Sequence, residues 1–194
     1  MRLVIGCLLL SSSIAFADDQ PQPNLTVGLG AQVMKVFSTS GGVGSFKATD
    51  QGTAYGVDLY AEYRITTHVS VGLAIPMTFN GPGPTTNEYD FGIGLRLRGD
   101  YPATPWLRPF VVIEPRLALA RLPESEFWTG HAIAIDGGAR IDITAASSVI
   151  GWIGLDFTSF SGDVTPPPPD PQMKTAGSVR TAYFGAGAGL ELRF

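Results

Sequence analysis

The strongest constraint on this chain is a period of two, repeated through eight runs from Asn24 onward. Successive side chains of an extended strand point to opposite faces, so strict alternation marks a half-exposed β-strand. In the run Thr53 to Thr66, Thr53, Tyr55, Val57, Leu59, Ala61, Tyr63 and Ile65 make one face, and Asp58, Glu62 and Arg64 lie on the other. The same split recurs in Asn24–Phe37, Val69–Phe79, Tyr89–Gly99, Trp106–Leu122, His131–Thr144, Val149–Phe160 and Arg180–Phe194. Each run is near or above the roughly 9–11 residues that a tilted strand needs to cross a bilayer. No long segment carries the helical period of 3.6.

The connections alternate in length. Thr66–His68, Asp100–Pro105 and Thr144–Ser148 are tight, whereas Ser38–Asp50, Asn80–Glu88, Pro123–Gly130 and Ser161–Val179 are longer, polar and rich in Gly and Pro. Short turns on one side and long loops on the other are expected of an antiparallel up-and-down transmembrane barrel, the short side being periplasmic. A soluble eight-stranded carrier would also alternate, and the placement of charge decides between the two. Here the charged face is also the glycine-rich one, with Gly92, Gly94, Gly138, Gly154, Gly185, Gly187 and Gly189 on it. Glycine relieves crowding inside a narrow barrel. The opposite face is bulky and uncharged across the middle of every run, as a lipid-facing wall must be, because Lys or Arg at the bilayer midplane costs about 2–4 kcal/mol. Phe37, Tyr55, Phe79 and Phe157 at one set of run ends, and Tyr63, Trp106 and Phe194 at the other, suit two interfacial aromatic girdles. The expected fold is therefore all-β, an eight-stranded antiparallel transmembrane barrel.

Residues 1–17 read as a cleavable secretory signal: Arg2, an apolar stretch from Leu3 to Leu10, and the small-x-small site Ala15-Phe16-Ala17. Cys7 precedes the end of that apolar stretch, which argues against lipidation. Residues 18–194 then form one domain without cysteine, excluding disulfides and thiolate chemistry. The net charge of −4 argues against a nucleic-acid partner.

The face assigned to the interior carries seven arginines (Arg64, Arg96, Arg98, Arg108, Arg116, Arg140 and Arg193) and eight acids (Asp58, Glu62, Asp90, Glu114, Asp136, Asp142, Asp156 and Glu191). Isolated buried charges are prohibitively costly, so this near balance predicts an ion-paired network. An eight-stranded interior is just wide enough to be filled by side chains, so no large channel is expected. Pro76, Pro109 and Pro115 lie within runs although proline removes a ladder donor. Pro109 fits near the short-turn rim, and Pro115 predicts a bulge.

These residues together resemble the small outer-membrane barrels of the OmpA transmembrane-domain and OmpX/Ail type. Gly189, Leu192 and Phe194 match that family's C-terminal assembly signal, although the chain has Gly187 where the family usually has a polar residue. The resemblance implies an integral protein of the bacterial outer membrane, in contact with lipid and recognised by the outer-membrane assembly machinery through its last strand. The chain stops at the barrel, so tethering through a following peptidoglycan-binding domain is not expected.

Enzymes also exist on this architecture, among them lipid A-modifying enzymes of the PagL and PagP kind. Acyl hydrolysis needs a hydroxyl nucleophile, a histidine and an orienting carboxylate within reach of one another. The histidines are His68, in a tight turn, and His131, near Glu124, Ser125 and Glu126. PagL-like enzymes carry histidine and serine two apart on one strand face, whereas Ile133 stands two after His131. The sequence therefore predicts no enzyme, no cofactor and no metal site, since two distant histidines give no ligand cluster. Function is expected on the long loops, as a structural or surface-interaction role; a lipid A-modifying enzyme or a narrow pore is the alternative. Phe127 and Trp128 are expected to anchor in the outer interface, and Thr165–Pro171 to form a stiff polyproline II segment.

Overall fold

In the computed structural model, which describes residues 24–43, 46–47, 52–80, 89–121, 127–164 and 175–194, the alternating runs become strands. They are β1 (Leu25–Val43), β3 (Thr53–Arg64), β4 (Val69–Asn80), β5 (Tyr89–Asp100), β6 (Leu107–Arg121), β7 (Phe127–Asp142), β8 (Ser147–Val164) and β9 (Thr175–Arg193), with a two-residue β2 (Phe46–Lys47) pairing back onto β1. Each long strand pairs antiparallel with the next, and β9 pairs with β1 to close the barrel. Leu25 and Phe194 seal the seam by exchanging backbone hydrogen bonds of 3.2 and 2.8 Å. The expected signal segment, Glu124, Ser125, Glu126 and the proline-rich segment 165–171 lie outside the described residues.

The register fixes the shape. Directly paired residues lead from Leu25 through Tyr63, Val71, Leu97, Ile113, Ile135, Leu155 and Phe184 back to β1 at Lys35. A circuit thus returns ten residues further along β1. With eight strands, this stagger corresponds to a tilt of about 40°. The two short turns after β3 and β7 are tied by threonine. Thr66 Oγ1 accepts from the amides of His68 and Val69, and Thr144 Oγ1 accepts from the amide of Ala146.

The faces come out as the alternation predicts. Leu29, Leu59, Leu73, Ile93, Leu117, Ile153 and Leu190 are exposed on the outer wall, whereas Asp58, Glu62, Arg96, Arg98, Glu114, Arg140, Asp156 and Glu191 are buried in the lumen. The predicted aromatics of both girdles are exposed, joined by Tyr101 at the short-turn end. Gly28 and Gly137 show the two environments. A Cβ on Gly28 would collide with the Tyr60 ring inside, while one on Gly137 would meet nothing within 4 Å.

Three expectations are corrected. Ser38–Val43, Phe127–Gly130, Ser161–Val164 and Thr175–Val179, expected in loops, are strand. Backbone pairing needs no apolar side chains, so the ladder continues past the last lipid-facing residues. Trp128 does not anchor in the interface: it is fully buried in the lumen, packed with Ala118, Ala120 and Phe160. Pro115 makes no bulge, because β6 keeps one register with both neighbours. Instead the β5–β6 ladder lapses opposite Pro115 and the β4–β5 ladder lapses opposite Pro76, so both missing N–H donors fall on sides facing β5. The register shift that does occur is on β1 between Val36 and Ser38.

Alanine at Gly28 is expected to cost about 1–3 kcal/mol through overpacking, and alanine at Gly137 to stay within about 0.5 kcal/mol of the parent. Equilibrium guanidinium unfolding in micelles or vesicles measures both; equal effects would contradict the assignment of inside and outside.

Candidate functional site

Alternation on every strand directs the charged side chains into one narrow lumen, where they form a continuous chain of opposite charges. In the long-loop half, Arg116 pairs with Asp156 at 2.7 Å and with Glu114 at 3.2 Å. Glu114 pairs in turn with Arg96 at 2.8 Å. Arg96 also meets Glu62 at 2.6 Å and Asp58 at 3.2 Å, and its guanidinium lies 4.0 Å from the centre of the Tyr60 ring. Glu62 reaches Arg98 at 3.6 Å, and Arg98 pairs with Glu191 while stacking on Phe110 at 4.1 Å.

Among the described residues Glu191 is the most enclosed carboxylate. Tyr60 donates its hydroxyl hydrogen to Oε1 at 2.7 Å, and Ser148 donates to Oε2 at 3.2 Å. Arg140 lies 3.8 Å from Glu191 and bridges to Asp142 at 3.3 Å and Asp100 at 3.9 Å. Asp142 closes the chain at the short-turn rim with Arg193 at 3.2 Å and Arg108 at 3.7 Å. Acid and base alternate along the barrel, so each buried charge has a compensating neighbour.

Of the predicted interior residues, Arg64 faces the lumen at the short-turn rim, and Asp90 and Asp136 line small cavities of about 10 and 20 Å³ in the long-loop half. Each cavity is near the size of a single water. Asp100 belongs to the network although the sequence places it in a turn; its parity with Arg96 and Arg98 on β5 is the signal that points to it. Tyr60, Phe110, Val112 and Ile150 form an apolar belt between the charges, and Trp128 with Phe160 fills the long-loop mouth. This arrangement holds charge in fixed pairs.

The remaining predicted positions lie elsewhere. Gly189 faces inward where β9 and β1 meet, and a Cβ there would sit 2.9 Å from the Cα of Gly30. Leu192 and Phe194 are exposed on the outer wall of the same strand. His68 is exposed in its turn, with Nδ1 3.2 Å from the carbonyl oxygen of Asp100. His131 points outward, directly between Leu117 on β6 and Ser159 on β8. Among the described residues no cluster of His, Cys, Asp and Glu could hold a metal ion.

Removing Arg96 would leave Asp58 without the ion-pair partner described above and thin the shells of Glu62 and Glu114. Arg96→Met is expected to cost about 3–5 kcal/mol, since breaking a buried pair strands a charge. Adding Asp58→Asn should restore part of that loss. Unfolding midpoints of both variants check it, and an Arg96→Met barrel as stable as the parent would refute the network's role.

No protein-family model matches the chain, and no curated protein matches it in sequence. Its architecture does have solved counterparts. It is similar to Neisserial surface protein A (18% identity, 88% of this chain and 97% of that one, TM-score 0.59) and to the outer membrane protein OprG from Pseudomonas aeruginosa (13% identity, 89% and 97%, TM-score 0.60). It is also similar to the outer membrane protein AlkL in DMPC lipid bilayers (13% identity, 93% and 94%, TM-score 0.56). These structural neighbours are small outer-membrane barrels, and the likeness is one of fold: a closed eight-stranded antiparallel barrel of transmembrane type.

Proposed function

We propose that this chain is an integral protein of the bacterial outer membrane, exported with the help of its N-terminal signal, whose barrel is a filled scaffold presenting a raised extracellular edge rather than a conduit. The observation that carries this reading is the lumen itself: charges paired end to end, an apolar belt, and Trp128 across the mouth. The second support is the uneven rim. Strands β3, β4 and β5 are 12 residues each, whereas β8, β9 and β1 are 18, 19 and 19 and pair with one another to their ends. On this raised wall the outward residues change from apolar to polar, with Ser38, Ser40, Ser159, Ser161 and Ser178 taking the places of Leu, Val and Phe. That switch marks where the wall leaves the hydrocarbon. The edge above it offers a rigid surface for recognition. Gly189, Leu192 and Phe194 serve assembly through the closing strand.

A second reading, a lipid A-modifying enzyme, draws on one placement: His131 and Ser159 are cross-strand neighbours on the outer wall. A triad also needs a carboxylate, and among the residues whose side chains are described no acid lies on that wall. The scaffold reading is therefore the better supported. Mass spectra of lipid A from cells carrying the parent or His131→Ala are expected to be identical, and a difference would favour the enzyme.

The scaffold reading is tested directly by labelling. The one cysteine of the sequence, Cys7, lies in the expected signal segment, so single cysteines report position cleanly. Ser161→Cys is expected to react with a membrane-impermeant maleimide on intact cells, and Ala145→Cys only after permeabilisation. The folded barrel should migrate differently in gels before and after heating, and it should give no discrete conductance steps in planar bilayers. Conductance steps from the parent would overturn the filled-lumen reading in favour of a pore, and reversed labelling would overturn the orientation.

A further inference from the structure

The outer wall of β7, β8, β9 and β1 carries a groove of about 390 Å³, located at the level where apolar side chains give way to polar ones. Its lower part is lined by Ile133, Phe157 and Ala182, and its upper part by His131, Ser159 and Arg180 together with Ser38 and Ser40 of β1. The register brings the polar members into one row: His131 pairs with Ser159, Ser159 with Arg180, and Arg180 with Ser40. Side chains of directly paired residues start about 5 Å apart, so His131 and Arg180 flank Ser159 at about 10 Å from each other. Both side chains are long enough to converge over the serine hydroxyl.

The row exists because of the irregularity in β1. Up to Val36, even-numbered residues of β1 face the lumen, as the buried Met34 and Val36 show. Between Val36 and Ser38 the register shifts by one, so that Phe37 and Ser38 together face Ala182, and Ser40 is turned outward beside Arg180. Without this bulge both serines would point into the barrel. Ala182 supplies the depth of the groove, since a small side chain there sits between Phe157 and Phe37 on the exposed wall.

The charge of the wall selects the occupant. Among the residues that line the groove the ionisable side chains are His131 and Arg180, and none is acidic. A cationic row above an apolar floor, at a membrane boundary, matches an amphiphile with an anionic head and acyl tails. A guanidinium fork with an adjacent hydroxyl and imidazole favours the tetrahedral oxygens of a phosphate monoester.

Building on the outer-membrane reading above, we infer that the groove binds the phosphorylated headgroup of an outer-leaflet glycolipid of the lipid A kind. Arg180 and His131 hold the phosphate over Ser159, Ser40 borders it, and one acyl chain lies along Ala182 between Ile133 and Phe157. The interaction is one of binding; no covalent step is involved.

The test titrates the full barrel in neutral maltoside micelles with three probes: bis-phosphorylated lipid A, the same glycolipid without phosphates, and inorganic phosphate. Backbone amide shifts at His131, Ser159, Arg180 and Ser40 give the readout. Saturable shifts with the phosphorylated glycolipid are expected, and each other probe should bind at least about tenfold more weakly. Arg180→Ala should weaken binding by about tenfold, with Arg180→Lys in between, because a lysine keeps the charge but not the fork. Equal binding by Arg180→Ala or by the dephosphorylated glycolipid overturns the assignment, as does inorganic phosphate binding as tightly as the lipid. Arg180 is exposed and outside the lumen network, so retained heat-dependent gel migration confirms that the variants fold. Failure of that migration in the parent would count against the membrane reading instead.

Discussion

Everything in this molecule depends on closure of the backbone ladder. In hydrocarbon, an unpaired N–H or C=O costs several kcal/mol, so a sheet can cross only when its first and last strands meet. Here β9 meets β1 over nearly the whole of both strands, and the seam is sealed at its base by Leu25 and Phe194. The ten-residue stagger of that closure sets tilt and bore. The bore then dictates where bulk is tolerated: Gly28 lies against Tyr60, and Gly187 lies against Trp152.

A bore of this size cannot be left hollow and dry, nor filled with unpaired charge. The lumen answers with the alternating chain from Asp156 to Arg193, interleaved with the Tyr60 and Phe110 rings on which Arg96 and Arg98 rest. Each link compensates the desolvation of its neighbour, so removing Arg96, Arg98, Arg116 or Arg140 exposes more than one carboxylate. Such a filling suits a rigid scaffold whose activity lies at its edges.

The outer wall faces the opposite demand. It must be apolar where it meets acyl chains, and it is free to become polar above them. The bulge after Val36 places that transition on β1 beside those on β7, β8 and β9, so four strands change character at one level. A histidine, an arginine and serines then line up where lipid phosphates lie. The raised wall and the headgroup groove are thus two consequences of the same long strands.

Much of this was legible in the sequence because alternation is a local property. Leu59 and Asp58 point to opposite faces in any extended strand, so the count of barrel strands follows from periodicity, and the lipid face and charged interior from where glycine and charge fall on it. Asp100 followed the same parity and was missed only because it stands where the run meets a turn. Tertiary structure decided the rest, for reasons that periodicity cannot carry. Pairing partners come from distant strands, so only the register shows that Arg96 gathers Asp58, Glu62 and Glu114, or that His131 neighbours Ser159. Trp128 turned inward because β7 extends beyond the membrane and keeps its phase. Ser38 and Ser40 turned outward because one extra residue in β1 reversed theirs. The sequence by itself determined a closed barrel with charge inside and lipid outside; the register of closure decided which charges meet and what the wall presents to the membrane.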